Sequence, residues 1–192
     1  MRLQQITLAC SLLTPLALIT PGAVADDKHE HEHRQQEAHV HGIAALNLAL
    51  EGEEVHLELD SPAANMVGFE HAPSSEADHR ALDKAVAALK NGDQLFRFNK
   101  EAGCRMEKAM VTSALLKEED HNHDGKHADD HDTHSDIEAV YHFECDQPAK
   151  LTRLTVELFE AFPATEKLNV QYVIENKQGA IELTIKDHVV NF

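Results

Sequence analysis

Three observations predict an α+β fold for this chain. Two apolar-alternating segments face each other across a short acidic loop, one later stretch has apolar residues at helical spacing, and residues 117–136 form a tract of histidines and acids with a single apolar residue, Ala128. The expectation is a mostly antiparallel β-sheet with one main helix and a long disordered His/Asp-rich loop.

Residues 1–25 read as a secretory leader. Arg2 gives a positive start, ITLACSLLTPLALI an apolar middle, and Ala23-Val24-Ala25 a small-residue cleavage site, so the mature chain is expected to start at Asp26. Cys10 lies too early in the apolar run for a lipidated cysteine. Pro15 and Pro21 interrupt a run already short of a bilayer span, so the chain is expected to be secreted with no membrane insertion after cleavage. Residues 26–38 are charged and unpatterned, a flexible His/Glu-rich tail, and residues 39–192 form one metal-binding domain.

Within that domain, residues 43–50 and 55–60 alternate with period two around Glu51-Gly52-Glu53-Glu54, a hairpin with a four-residue loop. Pairing Leu50 with Val55, Leu48 with Leu57 and Leu46 with Leu59 turns one apolar face inward. His56 and Glu58 then point outward. Extending the register sets His41 opposite Ala64 and His39 near Met66. Since residues i and i+2 of a strand share a face, His39 and His41 can chelate together, and Glu70 and His71 can approach them.

Ser75 and Asp78, at capping-box spacing, open a helix whose Leu82, Ala85, Val86 and Leu89 form one buried stripe ending at Asn91-Gly92. Short strands follow at Leu95–Phe98 and Cys104–Thr112. A clear strand, Asp136–Cys145, puts Ile137, Ala139, Tyr141, Phe143 and Cys145 on one face, with His142 solvated on the other. A strand from 151 through Leu158 leads to a helical turn before Pro163. Leu168, Val170, Tyr172 and Ile174, a turn at Lys177-Gln178-Gly179, and Ile181, Leu183 and Ile185 make a second hairpin.

Composition narrows function. The net charge of −17 becomes one unit more negative when the leader, with Arg2 as its sole charge, is removed. A chain this acidic lacks the basic face that nucleic acid requires and instead gathers cations. The mature chain of about 167 residues is long enough for a real core, and with 5% aromatic residues and no Trp that core is aliphatic. Cys104 and Cys145 are the two cysteines left after cleavage, and in an oxidising compartment such a pair reads as a disulfide. Closing a loop of about 40 residues, it contributes roughly 4 kcal/mol in the chain-entropy model.

Ten of the fifteen histidines fall in two short tracts: His29, His31, His33, His39 and His41, then His121, His123, His127, His131 and His134. The second tract also carries eight carboxylates, and it is far longer than a connection between strands needs. Imidazole and carboxylate accept borderline and hard divalent cations, with Zn²⁺ first; Cu²⁺ or Ni²⁺ suit the same ligands, Cu²⁺ the more tightly by Irving–Williams order. His121 and His123 chelate from an extended backbone, and His127, His131 and His134 share a face if metal induces a helical turn. Neutral imidazole is the ligand, so retention falls as pH drops through roughly 6.5. Other readings fail on context. Residues 29–33 match the H-E-x-x-H pattern but have no apolar helix face around them. Asp120-x-Asn122-x-Asp124-Gly125 begins like a calcium loop, but His131 stands where a bidentate Glu is needed. No nucleophile constellation or nucleotide loop argues for an enzyme.

With HVHG at 39–42, SPAANMVGFEH at 61–71, Cys104, Cys145–Pro148 and VELFEAFP at 156–163, the chain resembles the zinc-regulated periplasmic proteins called ZrgA over about residues 39–185. The resemblance implies a periplasmic zinc-binding protein that helps an ABC-type importer acquire zinc. The His-rich insertion between the two cysteines also looks like that family.

Overall fold

A computed structural model describes residues 40–116 and 135–192, all within one compact unit, Gln36–Phe192. The first hairpin forms as its alternation demands. Strand β1 (Ile43–Glu51) pairs with β2 (Glu54–Pro62) in the expected register: Leu46 opposite Leu59, Leu48 opposite Leu57, Leu50 opposite Val55. The loop is shorter than expected. Glu51 and Glu54 still pair, so only Gly52 and Glu53 turn the chain, because the ladder continues for as long as backbone partners remain in register.

After β2 the chain turns into a short helix, α1 (Ala63–Val67), which the apolar pattern does not announce. Helix α2 (Glu76–Leu89) follows with the expected capping box: Ser75 Oγ accepts the Asp78 N–H while the Asp78 carboxylate accepts the Ser75 N–H. It buries Leu82, Ala85 and Leu89. A single turn, α3 (Gly92–Leu95), then feeds strand β3 (Phe96–Phe98), and β4 (Cys104–Ser113) runs up to the His/Asp tract. Strand β5 (Asp136–Cys145) returns from it with the inward face expected of it. Cys104 and Cys145 are directly opposite in the β4–β5 ladder and are disulfide-bonded across 41 residues of sequence.

The C-terminal third departs further from expectation. Strand β6 (Arg153–Val156) stops before Leu158, which opens the helical turn α4 (Leu158–Ala161). Strands β7 (Lys167–Ile174) and β8 (Lys177–Thr184) turn at Glu175-Asn176, not at Lys177–Gly179. Gly179 instead lies opposite Tyr172, with the Tyr172 ring over the space a Cβ would take. Strand β9 (Val189–Asn191) closes a second, three-stranded sheet of order β3-β6-β9.

The main sheet has order β4-β5-β2-β1-β7-β8. Every neighbouring pair is antiparallel except β1 and β7, which run parallel. The fold is therefore the expected α+β class, mostly antiparallel, with one helix longer than two turns among the described residues. The parallel pair is seeded at the start of β1, where the Gly42 carbonyl accepts the backbone N–H groups of Glu166 and Lys167 at 2.7 and 2.9 Å. The inner face of the main sheet, the α2 stripe and the small sheet share one core. Phe96 and Phe98 of β3 meet Tyr141 and Phe143 of β5 edge-on, with ring centroids 5.0 and 5.1 Å apart. The opposite face of the main sheet is mostly polar, with Asn47, Glu58, Asp60, Glu138 and Gln171 exposed alongside Met110 and Val173. Among the described residues no helix is long and apolar enough to cross a membrane.

Candidate metal centre

The candidate centre lies where β1 begins and α1 ends. His41 does not sit on a strand. Strand β1 starts at Ile43, and His41-Gly42 form a turn closed by the Ile43 N–H donating to the Val40 carbonyl at 3.1 Å. The register that set His41 opposite Ala64 is thus corrected: the β1–β2 ladder ends at Ala45–Asp60, and Ala64 is in α1. The cause is Gly42, whose φ of +84° breaks an extended backbone.

Buried Asn65 holds this turn in place. Its Oδ1 accepts the Gly42 N–H at 2.6 Å, and its Nδ2 donates to the Ile43 carbonyl and to Ser61 Oγ, each at 3.1 Å. One side chain on α1 therefore joins the turn before β1 to the end of β2. Sequence periodicity gives no sign of this role; the only hint is an asparagine in an apolar setting, which needs partners when buried.

Helix α1 then ends at Gly68 in the left-handed conformation, its N–H donating to the Ala64 carbonyl at 3.1 Å. That reversal directs Glu70 back toward the turn. His41 Nε2 and Glu70 Oε1 stand 2.9 Å apart, the imidazole side chain 63% exposed and the carboxylate only 14%. The carboxylate is the enclosed partner, and the imidazole is the one open to solvent. Two ligand atoms on one tetrahedral zinc, each bound at about 2.0–2.1 Å, lie roughly 3.3 Å apart. The pair needs to open by only a few tenths of an ångström to admit the ion. Alternatively, Glu70 keeps Nε2–H as its donor and leaves Nδ1 for the metal, as carboxylates do behind metal-bound histidines.

His71 is exposed beside them in sequence. Its Nδ1 donates to the Ala72 carbonyl at 2.9 Å, which leaves Nε2 with the lone pair a metal needs, and its ring stacks on Phe69 with centroids 4.9 Å apart. Among the described residues, no three His, Cys, Asp or Glu side chains gather as a metal-holding group. The structure thus joins His41 to Glu70 and does not complete a three-ligand set with His71. His39, His121, His123, His127, His131 and His134 lie outside the described residues.

No curated protein matches the chain. A match to a known family begins just before the His41 turn and takes in the Asn65 helix, Glu70, both cysteines and the C-terminal strands. Residues 38–192 match the family described as ZrgA family zinc uptake protein, and this chain belongs to that family.

Proposed function

We propose that the protein is a non-catalytic, periplasmic zinc carrier, exported by the leader at 1–25, that supplies Zn²⁺ to an ABC-type importer. The observation that carries this reading is the 2.9 Å approach of His41 to Glu70 on a turn pinned by buried Asn65. It supplies an imidazole and a carboxylate, pre-positioned and open to solvent, in a chain of a zinc uptake family. His39 and His71 are the further ligands of this ordered site.

The tract at 117–136, with His121, His123, His127, His131 and His134, is the gathering element. Many overlapping ligand choices give weak, rapidly exchanging sites, and ligand exchange passes the ion to the ordered centre. Calorimetry with Zn²⁺ tests the division. Deleting 117–136 removes weak sites and retains one tight site, whereas His41→Ala removes the tight site. Loss of the tight site with the tract deletion overturns the ordered centre. Growth of a deletion strain tests the uptake role: failure under chelation supports it, and failure only under excess metal identifies a buffering or detoxifying protein.

A further inference from the structure

We propose that His56 and His142 form a second divalent-cation site, separate from the His41 centre, on the open polar face of the main sheet. The two residues are directly opposite in the β2–β5 ladder, and their imidazoles meet edge-on with centroids 4.5 Å apart and planes at 81°. Opposed residues on paired strands hold their Cβ atoms about 4.5–5.5 Å apart, a span that two imidazoles close through one shared cation. Both strands are interior to the six-stranded sheet, so the platform is rigid and the approach of the rings is set by backbone pairing.

The surroundings favour a cation. Glu54 Oε2 lies 3.3 Å from His56 Nε2. A carboxylate at that distance draws a cation toward the ring, as acidic groups do around metal-bound histidines. Glu144 lies opposite Glu54, and Glu58 is two residues along β2 on the same face. Two cations of β4 oppose them, the first being Lys108, which pairs with His142. Arg105, opposite Glu144, is engaged by Asp146 at 2.9 Å. A concavity of about 610 Å³ lies beside His56, lined by Asn47, Ala49, Glu58, Gln171 and Val173. It lies on the β1 side of His56, across β2 from His142, and keeps that side of the ring open to solvent.

Two sites are distinguishable by place. His56 pairs with Ala49, six residues beyond Ile43, which at about 3.3 Å per residue separates it from the His41 turn by roughly 20 Å. The test is Zn²⁺ titration of the full chain followed by the histidine Cε1–H resonances, with His79 on α2 as an exposed reference. The resonances of His56 and His142 are expected to move together, at least tenfold earlier in zinc than His79. This response persists in His41→Ala and weakens at least tenfold in His56→Gln and in His142→Gln, with thermal melting unchanged. If the pair moves no earlier than His79, or each still responds when its partner is replaced, the edge-on contact is ring packing and the proposal falls.

Discussion

Asn65 Oδ1 accepts the Gly42 N–H at 2.6 Å across 23 residues of sequence, and through that bond α1 sets the turn that carries His41. Asn65→Ala leaves the buried Gly42 N–H without its acceptor, a loss of about 1–3 kcal/mol. Denaturant unfolding measures the destabilisation. On the proposed two-element scheme, the same variant is expected to weaken zinc at the His41 turn more than at the tract, because it frees the turn and leaves the tract unchanged.

Glu70→Gln keeps the size and the oxygen at the position facing His41 but removes the charge. Replacing a carboxylate that backs or joins a metal-bound imidazole lowers affinity by about 10–100-fold. Competition with a zinc indicator reads the change, and an unchanged tight site would show that Glu70 has no part in it.

Gly92→Ala tests packing in isolation. A Cβ at Gly92 would lie 2.6 Å from Met106 Sδ and 2.7 Å from Tyr141 Cδ1. Tyr141 is fully buried in the core and cannot withdraw easily, so the overpacking costs about 1–3 kcal/mol. Thermal melting reads the loss, with zinc binding at the distant His41 turn unaffected.

Removing the disulfide with Cys104→Ser and Cys145→Ser together releases the loop that includes the His/Asp tract. The expected loss is about 4 kcal/mol for a loop of this length. Cys145 N–H donates to the Glu53 carbonyl at 2.8 Å, at the hairpin-loop end of β2 and far from His41. The variant is therefore expected to lose stability while keeping its tight zinc site, as unfolding curves and calorimetry on the same sample would establish.

The α2 capping box gives a pH dependence. The Ser74 backbone N–H, opposed by partial desolvation and helped by the Ser75 hydroxyl and N–H, holds the Asp78 carboxyl below its ordinary value of 3.8. A group depressed on folding stabilises the native state above its unfolded value, and the contribution is lost as pH falls through the folded value. Asp78→Asn is expected to flatten the acid limb of a melting-temperature profile below about pH 4 without changing its neutral plateau in shape. Ser75→Ala, which removes the other half of the box, costs about 1 kcal/mol at neutral pH.

Much of the fold was legible residue by residue. The β1–β2 register follows from Leu46, Leu48 and Leu50 meeting Val55, Leu57 and Leu59. The capping box and the Leu82–Ala85–Leu89 stripe place α2, and the inward face of β5 follows from its alternation. The turns were less legible. Asn176 does not advertise its turn as strongly as the lysine, glutamine and glycine after it, and Gly179 is in fact a seat for Tyr172. His142 reads as a solvated strand residue until its cross-strand neighbour is known to be His56.

By itself the sequence determined the first hairpin and its register, the main helix, the strand before the second cysteine, which cysteines pair, and that imidazoles and acids are concentrated in two tracts. Those properties depend on side-chain periodicity, local capping and composition, which neighbouring residues carry together. Only the tertiary structure decided that β7 runs parallel beside β1, that His41 leaves the strand at Gly42 and meets Glu70, and that Asn65 holds the turn. The physical reason is that each of these satisfies a buried or outward polar group with a partner more than twenty residues away. Chain folding, and not local pattern, chooses that partner.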